Sequence, residues 1–269
     1  MTDPTRRRFL KIASGSIAGA AFGLRTEGGT PVLGLIFPPA NTPVPPEAHL
    51  MYPSGIEFRA TGVGLERMTP EGYDQVVGRI VPAAQSMAAQ GANAIAVMGT
   101  SLTFYKGAAF NEQLQRSVAR ATGLPAVTMS TAIIEGLKAV GGHRVAVATA
   151  YNEEVNQRLR TFLEESGLEI VALKGMGIER FEDRPPVTSE ELLNFSAGVW
   201  EMAPKSDALL ISCGALKTLE LLAPLERRCQ VPVVSSLPHA LWAGVRLLGI
   251  SGRAPGYGRL LSSGLQDTQ

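Results

Sequence analysis

Cys213 closes the apolar run ALLIS and is followed at once by Gly214, where a strand should give way to a helix. A thiol at a helix N-terminus gains stabilisation of its thiolate, and the neighbouring amides can bind an anion. The position suits an inert core cysteine equally well, because free Cys is among the most buried residue types. A second run ends Met98-Gly99-Thr100-Ser101, with Gly99 in the place that Cys213 takes and two hydroxyls just beyond it. Hydroxyls at a helix start donate to a ligand or simply cap the helix. Tyr151 ends a third run and offers a phenolic donor, whereas Pro38 and Pro39 end a fourth and have no amide proton to give. Together these residues could hold a carboxylate and move one proton. Cys229, in ERRCQVP before a strand, has no comparable setting and reads as structural, while His239 and the other two histidines read as structural or surface residues.

Positioning these groups requires an α/β scaffold. From Pro31 onward, short apolar runs alternate with longer amphipathic stretches, the pattern of a largely parallel sheet. Buried strands are expected at Val32–Phe37, Ala94–Met98, Ala126–Met129, Arg144–Thr149, Ala208–Ser212 and Val231–Val234. Helices are expected over Pro70–Gln90, behind the start signal TPEGYD, and over Glu153–Ser166, with Gly167 as a stop.

The strands fall into two matching sets. VLGLIFPPA corresponds to RVAVATAYN, GANAIAVMGTSL to KSDALLISCGAL, and GLPAVTMSTA to QVPVVSSLPHA. Three matches in one order predict two α/β domains related by a pseudo-twofold, each a parallel sheet flanked by helices. Ligands of open parallel sheets sit beyond the carboxyl ends of the strands, so the site should lie in the interdomain cleft. The expected division is a first domain over 31–141 plus 238–262 and a second over 142–237.

Residues 1–28 read differently. TRRRFLK followed by a short, weakly apolar run has the layout of a twin-arginine export signal, which implies the twin-arginine machinery as a partner and a periplasmic location, or a cytoplasmic one if the signal is silent. That segment holds three net positive charges of a chain whose total is +1, so the body is mildly acidic. A body so balanced has no electrostatic footprint for nucleic acid or an anionic membrane. No stretch of the body is apolar enough for a transmembrane span, and two Cys with three His exclude a disulfide scaffold or a Cys/His zinc site of usual spacing.

The segments IFPPA, TPEGYD, MGTSLTFYKGAAFN, ATGLPAVTMSTA, RVAVATAYNEEVN, LLISCGAL, ERRCQVPVVSS and RAPGYGRL together resemble the bacterial arylmalonate decarboxylases, from Gly34 to about Leu261. The wider superfamily includes aspartate/glutamate racemases and maleate isomerase, and its members need no cofactor. Racemases and maleate isomerase carry Cys at both strand ends; here one is Cys213 and the other is Gly99, the decarboxylase pattern.

The resemblance implies that a disubstituted malonate loses CO2 to give an enediolate. It puts Thr100, Ser101, Tyr151 and the amides of Cys213 and Gly214 around the enediolate oxygens, with Cys213 protonating one face to give a single enantiomer. It assigns Pro38, Pro39, Leu65, Met68 and Tyr73 to the apolar walls, and leaves the face at Gly99 without an acid or base. Two departures bear on the substrate's substituents: Ala215 stands where the family has Gly, and Met68 where it has a smaller aliphatic residue. Two other readings remain: a racemase or cis–trans isomerase of a small dicarboxylate, and an exported carboxylate-binding protein. The second gives Cys213 no role and would tolerate Cys213→Ser.

Overall fold

The computed structural model describes residues 29–180, 182 and 186–263, so the segment expected to be an export signal lies outside the described residues. The first half runs β1 (Val32–Phe37), α1 (Pro46–Met51), β2 (Glu57–Gly62), α2 (Pro70–Val76), α3 (Ile80–Ala89), β3 (Ala94–Val97), α4 (Thr100–Phe104), α5 (Ala108–Thr122), β4 (Ala126–Thr128) and α6 (Met129–Ala139). The second runs β5 (Arg144–Thr149), α7 (Glu153–Glu165), β6 (Glu169–Gly175), α8 (Ser189–Glu201), β7 (Ala208–Ser212), α9 (Leu222–Cys229) and β8 (Val233–Ser235), followed by α10 (Ser236–Leu247) and α11 (Arg259–Ser263).

Two four-stranded sheets result, in the orders β2-β1-β3-β4 and β6-β5-β7-β8. Every pairing is parallel. The second sheet repeats the first, and the three strand correspondences read in the sequence are β1 with β5, β3 with β7 and β4 with β8. In each sheet the chain order reverses between the first and third strands of the half, the switch point beyond which ligands bind. Pro38 and Gly99 therefore leave one switch point, and Tyr151 and Cys213 leave the other.

The central strands are buried on both faces, which is why they are continuous apolar runs. Leu33, Leu35 and Phe37 of β1 join a core that continues through Val145, Val147 and Leu210 of the second sheet. Val32 and Ile36 face a separate cluster with Tyr73, Val76 and Ile80. Helix α10 follows β8 but packs against α6, β3 and β4 of the first half.

Two expectations need correction. Strands β2 (EFRATG) and β6 (EIVALKG) lie outside the expected set; they are sheet edges, half-exposed and polar, so neither is an unbroken apolar run. The helix expected over Pro70–Gln90 breaks into α2, a 3-10 turn at Val77–Arg79 and α3. Gly78 lies in the break, and Pro82 lies in the first turn of α3, where a missing amide costs no helical bond. Helix α7 ends as expected, with Gly167 beyond it at a φ of 89°.

Candidate active site

A cavity of about 330 Å³ opens where the four strand ends meet. Pro38, Pro39, Leu65 and Met68 line it from the first half, with Gly99, Thr100 and Ser101 beside them; Tyr151, Cys213, Gly214 and Ala215 line it from the second. Of the residues expected at the site only Tyr73 does not line the cavity. It is fully buried, in edge contact with the Tyr105 ring; burial pushes its hydroxyl pKa up, with Ser101 acting against that and Cys213 adding to it, so the hydroxyl lies near the site without lining the cavity.

Cys213 is buried and has a φ of 147°, a region that favours glycine. No helix begins behind it. A helix cap needs extended backbone with negative φ, and here the chain turns instead, with the Leu216 amide returning to the Cys213 carbonyl at 3.2 Å. The expectation of a helix-stabilised thiolate is therefore corrected. Burial pushes the Cys213 thiol up to about 11, against smaller opposing effects of the Ala215 amide, the Tyr151 hydroxyl and the Leu216 amide. The thiol is protonated at neutral pH.

Gly99 precedes α4, and Thr100 and Ser101 form its first turn, both buried. The Thr100 hydroxyl lies 2.9 Å from Met129 Sδ and 2.9 Å from Ser236 Oγ. Ser236 Oγ in turn accepts the Cys213 amide proton at 3.1 Å. One serine thus joins the hydroxyl end of the first half to the thiol end of the second. It also occupies the Cys213 amide, which the resemblance had aimed at substrate. The Tyr151 hydroxyl is 3.4 Å from Ser212 Oγ, and burial raises its pKa well above the ordinary phenol value, with Cys213 adding to the effect. A Cβ built on Gly99 would lie 2.6 Å from Pro38 Cγ, so any side chain there must displace that ring.

Sequence reasoning missed Ser236, Ser212 and Met129. Met129 and Ser236 hold equivalent places just past β4 and β8, in the third pair of matched segments. That pairing was the available signal. His239, read as structural, is buried, accepts the Ser235 amide proton on Nδ1 at 3.0 Å and is held neutral by burial, its pKa lowered to about 4. Both cysteines are free. Among the described residues no group of three or more His, Cys, Asp or Glu is placed to hold a metal, and no helix is long and apolar enough to cross a membrane.

The family model for arylmalonate decarboxylase matches residues 33–261. The chain belongs to the arylmalonate decarboxylase family. It is 46% identical over 235 residues to the arylmalonate decarboxylase of Bordetella bronchiseptica, covering 87% of this chain and 98% of that one. A liganded double mutant of arylmalonate decarboxylase superposes with a TM-score of 0.84 at 46% identity, covering 87% of this chain and 99% of the other. The maleate isomerase of Nocardia farcinica is 26% identical over 239 residues, covering 85% of this chain and 94% of its own. A structure of that isomerase shares the fold, with a TM-score of 0.78 over 87% of this chain and 98% of that one, at 21% identity.

Proposed function

We propose that the chain decarboxylates an arylmalonate without a cofactor, giving one enantiomer of the monocarboxylic acid. The observation that carries this is the lining of one cavity, which brings the hydroxyls of Thr100, Ser101 and Tyr151 and the protonated Cys213 thiol together with the apolar Pro38, Pro39, Leu65 and Met68.

The retained carboxylate lies against Thr100, Ser101, Tyr151 and the Gly214 amide. As the C–C bond to the leaving carboxylate breaks, its two electrons pass into the retained carboxylate and form a planar enediolate. Donors aimed at those oxygens stabilise the transition state more than the substrate, each contributing roughly 3–4 kcal/mol. Ser236 supports one of them. Its oxygen accepts from both the Cys213 amide and the Thr100 hydroxyl, which fixes Thr100 Oγ1 beside the carboxylate; on binding, the Thr100 proton turns from Ser236 to the carboxylate. The leaving carboxylate faces Pro38 and Pro39, which offer no amide proton, and its charge disappears as CO2 departs. Cys213 then transfers its S–H proton to the carbon, and water restores the thiol. Gly99 carries no acid or base for the opposite face, so the product is not racemised. In this reading the twin-arginine segment exports the enzyme to the periplasm.

The test is turnover of the chain lacking residues 1–28 on phenylmalonate and methyl-phenylmalonate, beside Cys213→Ser. CO2 release and a single enantiomer from methyl-phenylmalonate, both lost in the variant, are expected. Saturable dicarboxylate binding without CO2, unchanged in Cys213→Ser, would replace the enzyme with a binding protein.

A further inference from the structure

The cavity has a rim that the chemistry above does not use. Arg67, on the loop between β2 and α2, places Nη2 2.8 Å from Glu179 Oε2, on the loop after β6. Asn152, directly after Tyr151, donates from Nδ2 to Glu179 Oε1 at 2.9 Å. The Met68 amide donates to the Glu179 carbonyl at 3.1 Å. Glu179 thus takes three hydrogen bonds, two from the first half and one from the second, and Arg67, Met68 and Glu179 all line the cavity.

The loop that carries Met68 has few other anchors on this side. Its near end is stitched to the first half, Val63 through the Phe37 carbonyl and Leu65 through the Pro38 carbonyl at 2.7 Å. Its far end meets the second half at Glu179. The segment before Glu179 is fixed in turn to the strand end that carries Tyr151: the Gly177 amide donates to the Tyr151 carbonyl and the Ile178 amide to the Ala150 carbonyl. A continuous chain of contacts therefore runs from the apolar wall, through Glu179, to the donor side.

We infer that Glu179 is a clasp across the cavity mouth that fixes the Leu65–Met68 wall against the Tyr151 side, and so favours a malonate carrying a bulky apolar substituent. The substrate half of this statement rests on the decarboxylase reading, and the clasp itself rests on geometry alone. The pair suits repeated opening. Its side chains are 59% and 39% exposed, and ion pairs of that kind add little to global stability. Substrate can therefore enter by breaking a weak link, while the closed form brings Met68 onto the substituent.

Glu179→Gln tests this cleanly, because the amide keeps an oxygen for Asn152 and loses only the charge that holds Arg67. The first readout is alkylation of Cys213 by iodoacetamide, a neutral probe whose binding salt does not directly alter, with buried Cys229 as internal reference. Wild-type alkylation should quicken with added salt. In Glu179→Gln it should be about two- to fivefold faster at low salt, the population change that an exposed ion pair can drive, and insensitive to salt. The second readout is the kinetic split: KM for phenylmalonate should rise by a similar factor with kcat changed less, and preference over methylmalonate should fall. The charge swap Arg67→Glu with Glu179→Arg should restore both. An alkylation rate and KM unchanged in Glu179→Gln, or a swap that restores neither, would overturn the clasp. Should the wild type turn over neither malonate while alkylation behaves as described, the reaction assignment falls and the clasp stands.

Discussion

A thiol that donates a proton at neutral pH must hold that proton until the carbanion-like carbon appears. Burial of Cys213 does this by penalising the thiolate, which puts its pKa at about 11. In the proposed reaction the protonated form is the active one, so activity is expected to be lost as pH rises through that value and to be insensitive to it well below. The alkaline limb of kcat/KM should therefore lie near pH 11, above the ordinary thiol range of about 8.5. Titrating the alkylation rate of Cys213 checks the same group without turnover; a limb between pH 8 and 9 in both measurements would refute the buried-donor account. Cys213→Ser should lower kcat by about 10²- to 10⁴-fold, the usual worth of a positioned acid. The opposite face gives the second expectation. Gly99→Cys should add an acid there and allow racemisation, read as solvent deuterium entering both enantiomers of 2-phenylpropanoate. Its Cβ would sit 2.6 Å from Pro38 Cγ, so the variant should also lose roughly 1–3 kcal/mol of stability to overpacking. Adding Pro38→Ala should recover part of that loss. Deuterium confined to one enantiomer in both variants would mean that the second face is closed by more than a missing thiol.

At the scale of elements, the site is made by helix starts and strand ends rather than by any single motif. Ser236 opens α10, yet its hydroxyl meets Thr100 from α4 and the amide of Cys213 after β7. Ser236→Ala would leave two buried polar groups short of a partner, a cost of about 1–3 kcal/mol. It should also lower kcat, because Thr100 and the Cys213 backbone both lose the oxygen that positions them. Ser130→Ala is the matched control: Ser130 is equally buried and, like Ser236, stands behind the cavity lining, but it bonds the Thr100 carbonyl and the Thr103 hydroxyl and not the Thr100 hydroxyl or the Cys213 amide. A fall in melting temperature for both variants with a fall in kcat for Ser236→Ala alone is expected; equal kcat losses would make Ser236 merely structural. The same elements show what the sequence could tell. The central strands and all four strand ends at the cavity were legible because parallel strands buried on both faces must be unbroken apolar runs. The edge strands β2 and β6 were not, since one exposed side lets Glu57, Arg59 and Lys174 interrupt the pattern. Cys213, Thr100 and Tyr151 stood out by position. Ser236 did not, because a serine at a helix start looks like any cap until the partner half is folded against it. Nor could composition show that the turn after Cys213 replaces a helix, which depends on a positive φ.

The whole molecule is two similar halves that are not independent. The core that begins on β1 continues without interruption into the second sheet, and α10 leaves β8 to pack on β3, β4 and α6. Removing either half would uncover that shared surface, so the halves should unfold together. The two tryptophans test this by place: Trp200 lies in α8 on the second sheet, and Trp242 lies in α10 on the first. In Trp200→Phe, fluorescence reports the first half; in Trp242→Phe it reports the second. Within each variant, the urea transition seen by fluorescence should coincide with that seen by far-UV circular dichroism, although Trp242→Phe should unfold earlier overall because that ring is fully buried. Separate midpoints within one variant would mean that α10 holds the first half together without coupling it to the second. Coupling also matters for chemistry, because the donor hydroxyls of α4 and the thiol after β7 come from different halves. A molecule whose halves loosened separately would lose the cavity before it lost either sheet, and inactivation by urea would then precede both optical transitions. Activity and the two optical signals are instead expected to fall at one midpoint.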